Sequence, residues 1–146
     1  MFLKQLTENP STRATLIEQI SKLIDNEIAT KKGLSGLLAK SSYKALRTIK
    51  PNIVYDVLDM LLDDFAQVLT PLCAECTTQS AWKSHFKTQA NTLSKALLHV
   101  VDTRAEHAHH ESLKTLYKSV RGQGLVHVEA AMPKLGAVLA EHVVVS

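Results

Sequence analysis

Two cysteines, five glycines and four prolines in 146 residues leave this chain short of the residues that staple and turn small folds. The cysteines stand three positions apart, which excludes the disulfide framework of a secreted mini-protein. Aromatic residues reach only 5%. With so few turn formers, that argues against the many short strands of a sandwich or barrel. No apolar run approaches the ~20 residues of a membrane-spanning helix. The segment Met1–Glu8 turns polar too early for a secretory leader, and no small-residue cleavage site follows it. The expectation is a cytoplasmic protein with no membrane partner. Neither charge dominates: 17 basic and 14 acidic residues give +3, a weak global argument for nucleic acid.

Hydrophobic residues make up 45% and charged residues 21% of the chain, the balance of a folded domain. A domain this long buries roughly 70% of its unfolded surface and needs neither disulfide nor metal to fold. Its charges are unevenly placed. Lys31, Lys32, Lys40, Lys44, Arg47 and Lys50 lie in a stretch without acids, and Asp56, Asp59, Asp63 and Asp64 follow in one without bases. This pattern suggests neighbouring helices of opposite sign, the acidic one a partner for the basic one.

Helical periodicity runs through most of the sequence. Asn9-Pro10 reads as an N-cap and first turn, and Leu16, Ile17, Ile20, Leu23, Ile24 and Ile28 form one apolar face. Gly33 ends that helix in a left-handed position. A second helix is expected from Ser35 to Ile49. Its inner stripe is Leu34, Leu37, Leu38, Ala45, Leu46 and Ile49, opposite Lys40, Lys44 and Arg47. A third, over 52–70, carries the strongest apolar pattern and closes or bends at Pro71. After a connector at 71–80, Trp82, Phe86, Ala90, Leu93, Leu97, Val100 and Val101 share one stripe of a fourth. Leu113, Leu116, Tyr117 and Val120 make a fifth that stops at Arg121–Gly124. From Leu125 to Val143 one stripe runs across Pro133, as one kinked helix or two nearly collinear ones. The expected fold is a compact, all-α, single-domain bundle of five to seven helices covering 1–146.

Lys31-Lys32-Gly33-Leu34-Ser35-Gly36, followed by Lys40, Tyr43, Ile49 and Pro51, resembles the signature of a family of small, uncharacterised, helical bacterial proteins. Asp102-Thr103-Arg104-Ala105, Tyr117, Arg121, His127-Val128 and Pro133-Lys134-Leu135-Gly136 extend the resemblance over nearly the whole chain. It implies a compact helical protein of bacterial origin and transfers no activity. The pair Cys73 and Cys76 departs from the family pattern.

Four groups of residues carry chemistry. Lys31, Lys32, Gly33, Ser35, Gly36 and Lys40 place free helix N–H groups, a hydroxyl and ammonium groups where a phosphate or carboxylate would sit, with Arg104 joining from another helix. A joint between two helices explains the same residues, and the spacing is not that of a Walker loop. Lys40, Lys44 and Arg47 form a basic stripe without interleaved aromatics beyond Tyr43. That is better read as a solvated face than as a nucleic-acid track. Cys73-Ala-Glu-Cys76 is a CxxC with no strand context for redox chemistry. A metal there needs two more ligands, His85 being the nearest. In Glu106–Glu111, the pairs Glu106/His110 and His107/Glu111 chelate only if the helix is continuous, and His109 adds a further imidazole. Asp102 is expected to pair with a base of the second helix and Arg104 with an acid of the first, because an unpaired buried charge is costly.

No catalytic set, cofactor motif or metal site is complete. The leading expectation is a non-enzymatic protein acting through a protein partner or self-association. A small-anion binder at Lys31–Lys40 comes second, and a metal- or thiol-dependent activity at Cys73/Cys76 and the histidine segment third.

Overall fold

A computed structural model describes residues 2–30, 33–107 and 111–143, with side chains for all of these but 34, 35, 38, 112, 113, 116, 119, 120, 122 and 123. The described residues form seven helices and no strand: α1 (Phe2–Glu8), α2 (Pro10–Thr30), α3 (Gly33–Ile49), α4 (Ile53–Leu72), α5 (Gln79–Thr88), α6 (Ala90–Glu106) and α7 (Glu111–Glu141). The all-α bundle is as the periodicity implies. None of these helices is long and apolar enough to cross a membrane.

The helix α7 runs against α2, α3, α5 and α6, while α4 packs on α1, α2, α3 and α6. The core between them holds Leu16, Ile17, Leu58, Leu62, Leu69, Trp82, Phe86, Leu93, Met132 and Leu139. Each fully buried side chain of this size contributes roughly 1.5–3 kcal/mol. Asn9 caps α2 as its position suggests: its Oδ1 accepts the N–H groups of Ser11 and Thr12 at 3.0 and 3.2 Å.

Three boundaries differ from the sequence reading. The segment Phe2–Glu8 is a helix, its Leu3 and Leu6 buried and the Phe2 ring 5.2 Å from that of Trp82. Two apolar residues one turn apart suffice there, because α4 and α2 supply the rest of the contact. The expected fourth helix is two, broken at Gln89. Apolar residues keep one register across that break, so periodicity passes over it. The expected fifth and last helices are one, since α7 runs straight through Gly122 and Gly124. Glycine costs about 1 kcal/mol in a helix interior, and packing against α6 outweighs it. Pro71 and Pro133 both lie inside helices, α4 ending one residue after the former.

The charged residues between helices are more connected than expected, and to other partners. Arg13 of α2 bonds Asp59 at 2.9 Å and Asp63 at 2.8 Å, and donates to the carbonyls of Asp59 and Thr7 at 2.6 and 3.2 Å. One guanidinium thus ties α1, α2 and α4 together. Asp56 pairs with Lys50, and Asp64 with Arg104 at 2.7 Å. The acidic face of α4 therefore does not pair with Lys40, Lys44 and Arg47. Asp102 pairs with α7 rather than with the second expected helix, and Arg104 with α4 rather than with the first. The acidic α4 does pack on the basic α3, and Lys50 does meet Asp56, as the charge order suggests; the partners of the remaining charges are set by tertiary packing that charge order does not show.

Ser94 of α6 is 0% exposed, and its hydroxyl finds no hydrogen-bond partner among the described residues. A buried unsatisfied hydroxyl costs about 1–3 kcal/mol. Ser94→Ala is expected to stabilise the fold by about 1 kcal/mol, read as a higher urea midpoint at unchanged slope.

Candidate functional site

An open groove of about 560 Å³ lies between α2 and α3, lined by Asp25, Ile28 and Ala29 on one side and Lys40, Tyr43, Lys44, Arg47 and Thr48 on the other. The spacing 40, 43, 44, 47 places four side chains on one helical face. Asp25 organises it: the Tyr43 hydroxyl donates to its carboxylate, and Arg47 approaches the same group at 4.0 Å. The Arg47 guanidinium also lies 5.8 Å from the centre of the Tyr43 ring, a cation–π contact. Lys40 and Lys44 are exposed and have no acidic partner among the described residues.

The face α3 turns inward is not the expected one. Gly36, Ser42 and Leu46 are covered to differing degrees, while Leu37 is 63% and Ile49 38% exposed. At 100° per residue the buried arc is rotated by roughly 100° from the leucine stripe. Small residues at 36, 39 and 42 allow the helix to approach its neighbours there, and the Tyr43–Asp25 bond fixes the rotation. Leu37 consequently stands outside, on the same face as Lys40 and Lys44. Leu34 and Leu38 have side chains outside the described set.

Of the residues expected to bind an anion, Lys40 lines this groove. Gly33 opens α3 with φ +76°, the left-handed conformation that glycine adopts without strain. Gly36 is buried. Lys31 and Lys32 lie outside the described residues, as does the side chain of Ser35. Arg104 does not line the groove: it is bound to Asp64. Asp25, which sets the groove's geometry, has no local signal in the sequence. Its partners lie 18 and 22 positions away on another helix.

A second cluster lies at the corner between α4 and α5. Cys73, Cys76 and His85 each bring one donor atom within 4.8 Å of the others. Burial pushes the Cys73 thiol up to about 12, and burial also raises Cys76. Neither is a thiolate near neutral pH, the opposite of what a redox CxxC needs. In the histidine segment α6 ends at Glu106 with His107 as its C-cap, and α7 begins at Glu111. His109 and His110 lie outside the described residues.

Asp102, Tyr117 and Arg121 form a third cluster, between α6 and α7. Asp102 accepts the Tyr117 hydroxyl and the Arg121 Nε and Nη2, the latter two at 2.8 and 3.1 Å. The Arg121 hydrogen bonds hold the Asp102 carboxyl below its usual range, so it stays ionised and cannot act as a general acid near neutral pH.

The sequence model of a family of unknown function, DUF6918, matches residues 3–143. The chain belongs to this family. No curated protein and no solved structure matches it. In this DUF6918 member the Asp102–Tyr117–Arg121 set joins two helices and does not line the α2–α3 groove. Among the described residues, the α2–α3 groove gathers the exposed Lys40 and Lys44, and the α4–α5 corner gathers two thiols and an imidazole.

Proposed function

We propose that this DUF6918 protein is a non-enzymatic binding protein whose α3 face takes an acidic segment of a partner protein. The observation that carries the reading is the pair Lys40 and Lys44, exposed and without an acidic partner among the described residues, beside an exposed Leu37. An apolar side chain flanked by unpaired cations is complementary to an acidic amphipathic segment. The groove's openness favours this over an enclosed small molecule, because small-ligand sites bury most of the ligand surface. A second copy is a poorer partner, because Asp56, Asp59 and Asp63 of α4 are already engaged by Lys50 and Arg13. Bacterial origin and a cytoplasmic location belong with this reading; the free thiols of Cys73 and Cys76 support a reducing compartment.

The test is fluorescence polarisation with a labelled helical peptide of alternating Glu and Leu turns. Binding should weaken as salt rises. Lys40→Glu with Lys44→Glu should weaken it by roughly tenfold or more, since two attractive pairs become repulsive. Lys83→Glu with Lys87→Glu, the same charge change on α5, should have no such effect. Equal losses in both double variants would reduce the effect to net charge and end the proposal. Displacement of the peptide by inorganic pyrophosphate, with Leu37→Ser neutral, would assign the groove to a small anion instead.

A further inference from the structure

The corner between α4 and α5 has the composition and the local geometry of a metal site. Pro71 has no N–H to continue the helical ladder, and α4 stops at Leu72. The Cys73 N–H then closes the helix end on the Leu69 and Thr70 carbonyls at 2.9 and 3.3 Å. The Cys76 N–H turns back to the Cys73 carbonyl at 3.0 Å, a tight turn that brings both thiols to one side. Thr78 starts α5 by accepting the Ala81 N–H at 3.0 Å, and two turns later α5 delivers His85 to the same place.

We propose that Cys73, Cys76 and His85 supply three ligands to a zinc ion, the fourth position being left to solvent or to an incoming ligand. Two sulfurs and one imidazole nitrogen are a soft, zinc-selecting donor set. With Zn–S near 2.3 Å and Zn–N near 2.0 Å, tetrahedral donors stand about 3.4–3.8 Å apart. The observed donors lie within 4.8 Å of one another, so closure needs no donor pair to draw together by more than about 1.4 Å.

The His85 ring is held by the backbone at the end of α4. His85 Nε2 lies 2.7 Å from the Leu72 carbonyl oxygen. That oxygen can only accept, so Nε2 donates to it, and a metal held through Nδ1 would leave this bond in place. A backbone carbonyl holding the second ring nitrogen is the usual outer-shell partner of a metal-bound histidine. Behind the site stand Trp82 and Phe86, buried at 2% and 0% exposure, which exclude water from one side. Binding exchanges the two S–H protons for two Zn–S bonds; the protons leave to solvent, and no oxidation state changes.

The experiment is a Co²⁺ titration of the untagged, full-length protein kept reduced with a phosphine, followed by Zn²⁺ competition and native mass spectrometry. The expected result is one equivalent of cobalt with the intense visible bands of a tetrahedral thiolate site, bleached by zinc. His85→Asn and Cys76→Ser, both at partly exposed positions, should each weaken binding by more than the roughly 10–100-fold that a lost outer-shell partner costs. They test the site even if Cys73→Ser, in the core, fails to fold. Weak octahedral bands only, or binding unchanged in both variants, would overturn the assignment. Loss of binding in His107→Ala with His109→Ala and His110→Ala, but not in His85→Asn, would place the metal on the other segment.

Discussion

Gly136→Ala is expected to lower stability by about 2–3 kcal/mol, a drop of roughly 6–12 °C in melting temperature. An alanine Cβ at this position would stand 2.5 Å from Phe86 Cβ, 2.9 Å from Phe86 Cγ and 3.2 Å from the Trp82 carbonyl oxygen. A Cγ can swing away by a rotamer change; a Cβ and a carbonyl oxygen cannot. Phe86 is 0% exposed, so α5 and α7 would have to separate and open the core around it. In a helix without such a neighbour the same change gains up to about 1 kcal/mol from backbone entropy. Gly124 on the same helix provides that comparison. Its added Cβ would meet only Leu98 Cδ2 at 3.7 Å, an ordinary contact. Gly124→Ala should therefore raise the melting temperature by a few degrees. Equal, small effects of the two substitutions would mean that α5 and α7 are not packed at this separation.

That close approach is written in the sequence only as a glycine inside a helical pattern, which is why periodicity recovered the helices better than their arrangement. Residues 53–69 show the favourable case. Leu58, Leu61, Leu62 and Leu69 form a stripe wide enough that burial on several sides is its only outcome, and all four are buried. Residues 34–49 show the other. Their leucines form a plausible stripe, yet α3 rests on Gly36, Ser42 and Leu46, and Leu37 faces outward. Hydrophobic spacing gives the helix but not its rotation when only one side of it finds a neighbour. The same reasoning separates the two candidate sites. Lys40, Lys44 and Arg47 fall on one face by local spacing alone. Asp25, which organises them, arrives by tertiary packing. Cys73 and Cys76 are adjacent by sequence, and His85 joins them only because the chain reverses between Pro71 and Thr78.

Asp102→Ala is expected to cost about 1–2 kcal/mol, because it removes the acceptor of three hydrogen bonds from Tyr117 and Arg121. The range is set low because the Asp102 and Arg121 side chains are 35% and 40% exposed, so water replaces part of what is lost. Titration gives the sharper test. The Arg121 hydrogen bonds depress the Asp102 pKa in the folded state. Its contribution is therefore complete above the unfolded value near 4 and is lost as pH falls further through the folded value. Burial, and then the hydrogen bond to Asp102, raise the Tyr117 pKa. Its contribution is complete below about 10 and is lost as pH rises beyond that. Urea midpoints measured across pH should thus fall at both ends. Asp102→Asn should flatten the acid side, and Tyr117→Phe the alkaline side above about pH 10. The Cys73 thiol, raised by burial from 9.0 to about 12, adds a decline that begins earlier, and Tyr117→Phe should leave that part in place. If Asp102→Asn leaves the acid limb unchanged, the carboxylate is not held by Arg121 in solution. The contact joining α6 to the first half of α7 would then need another origin.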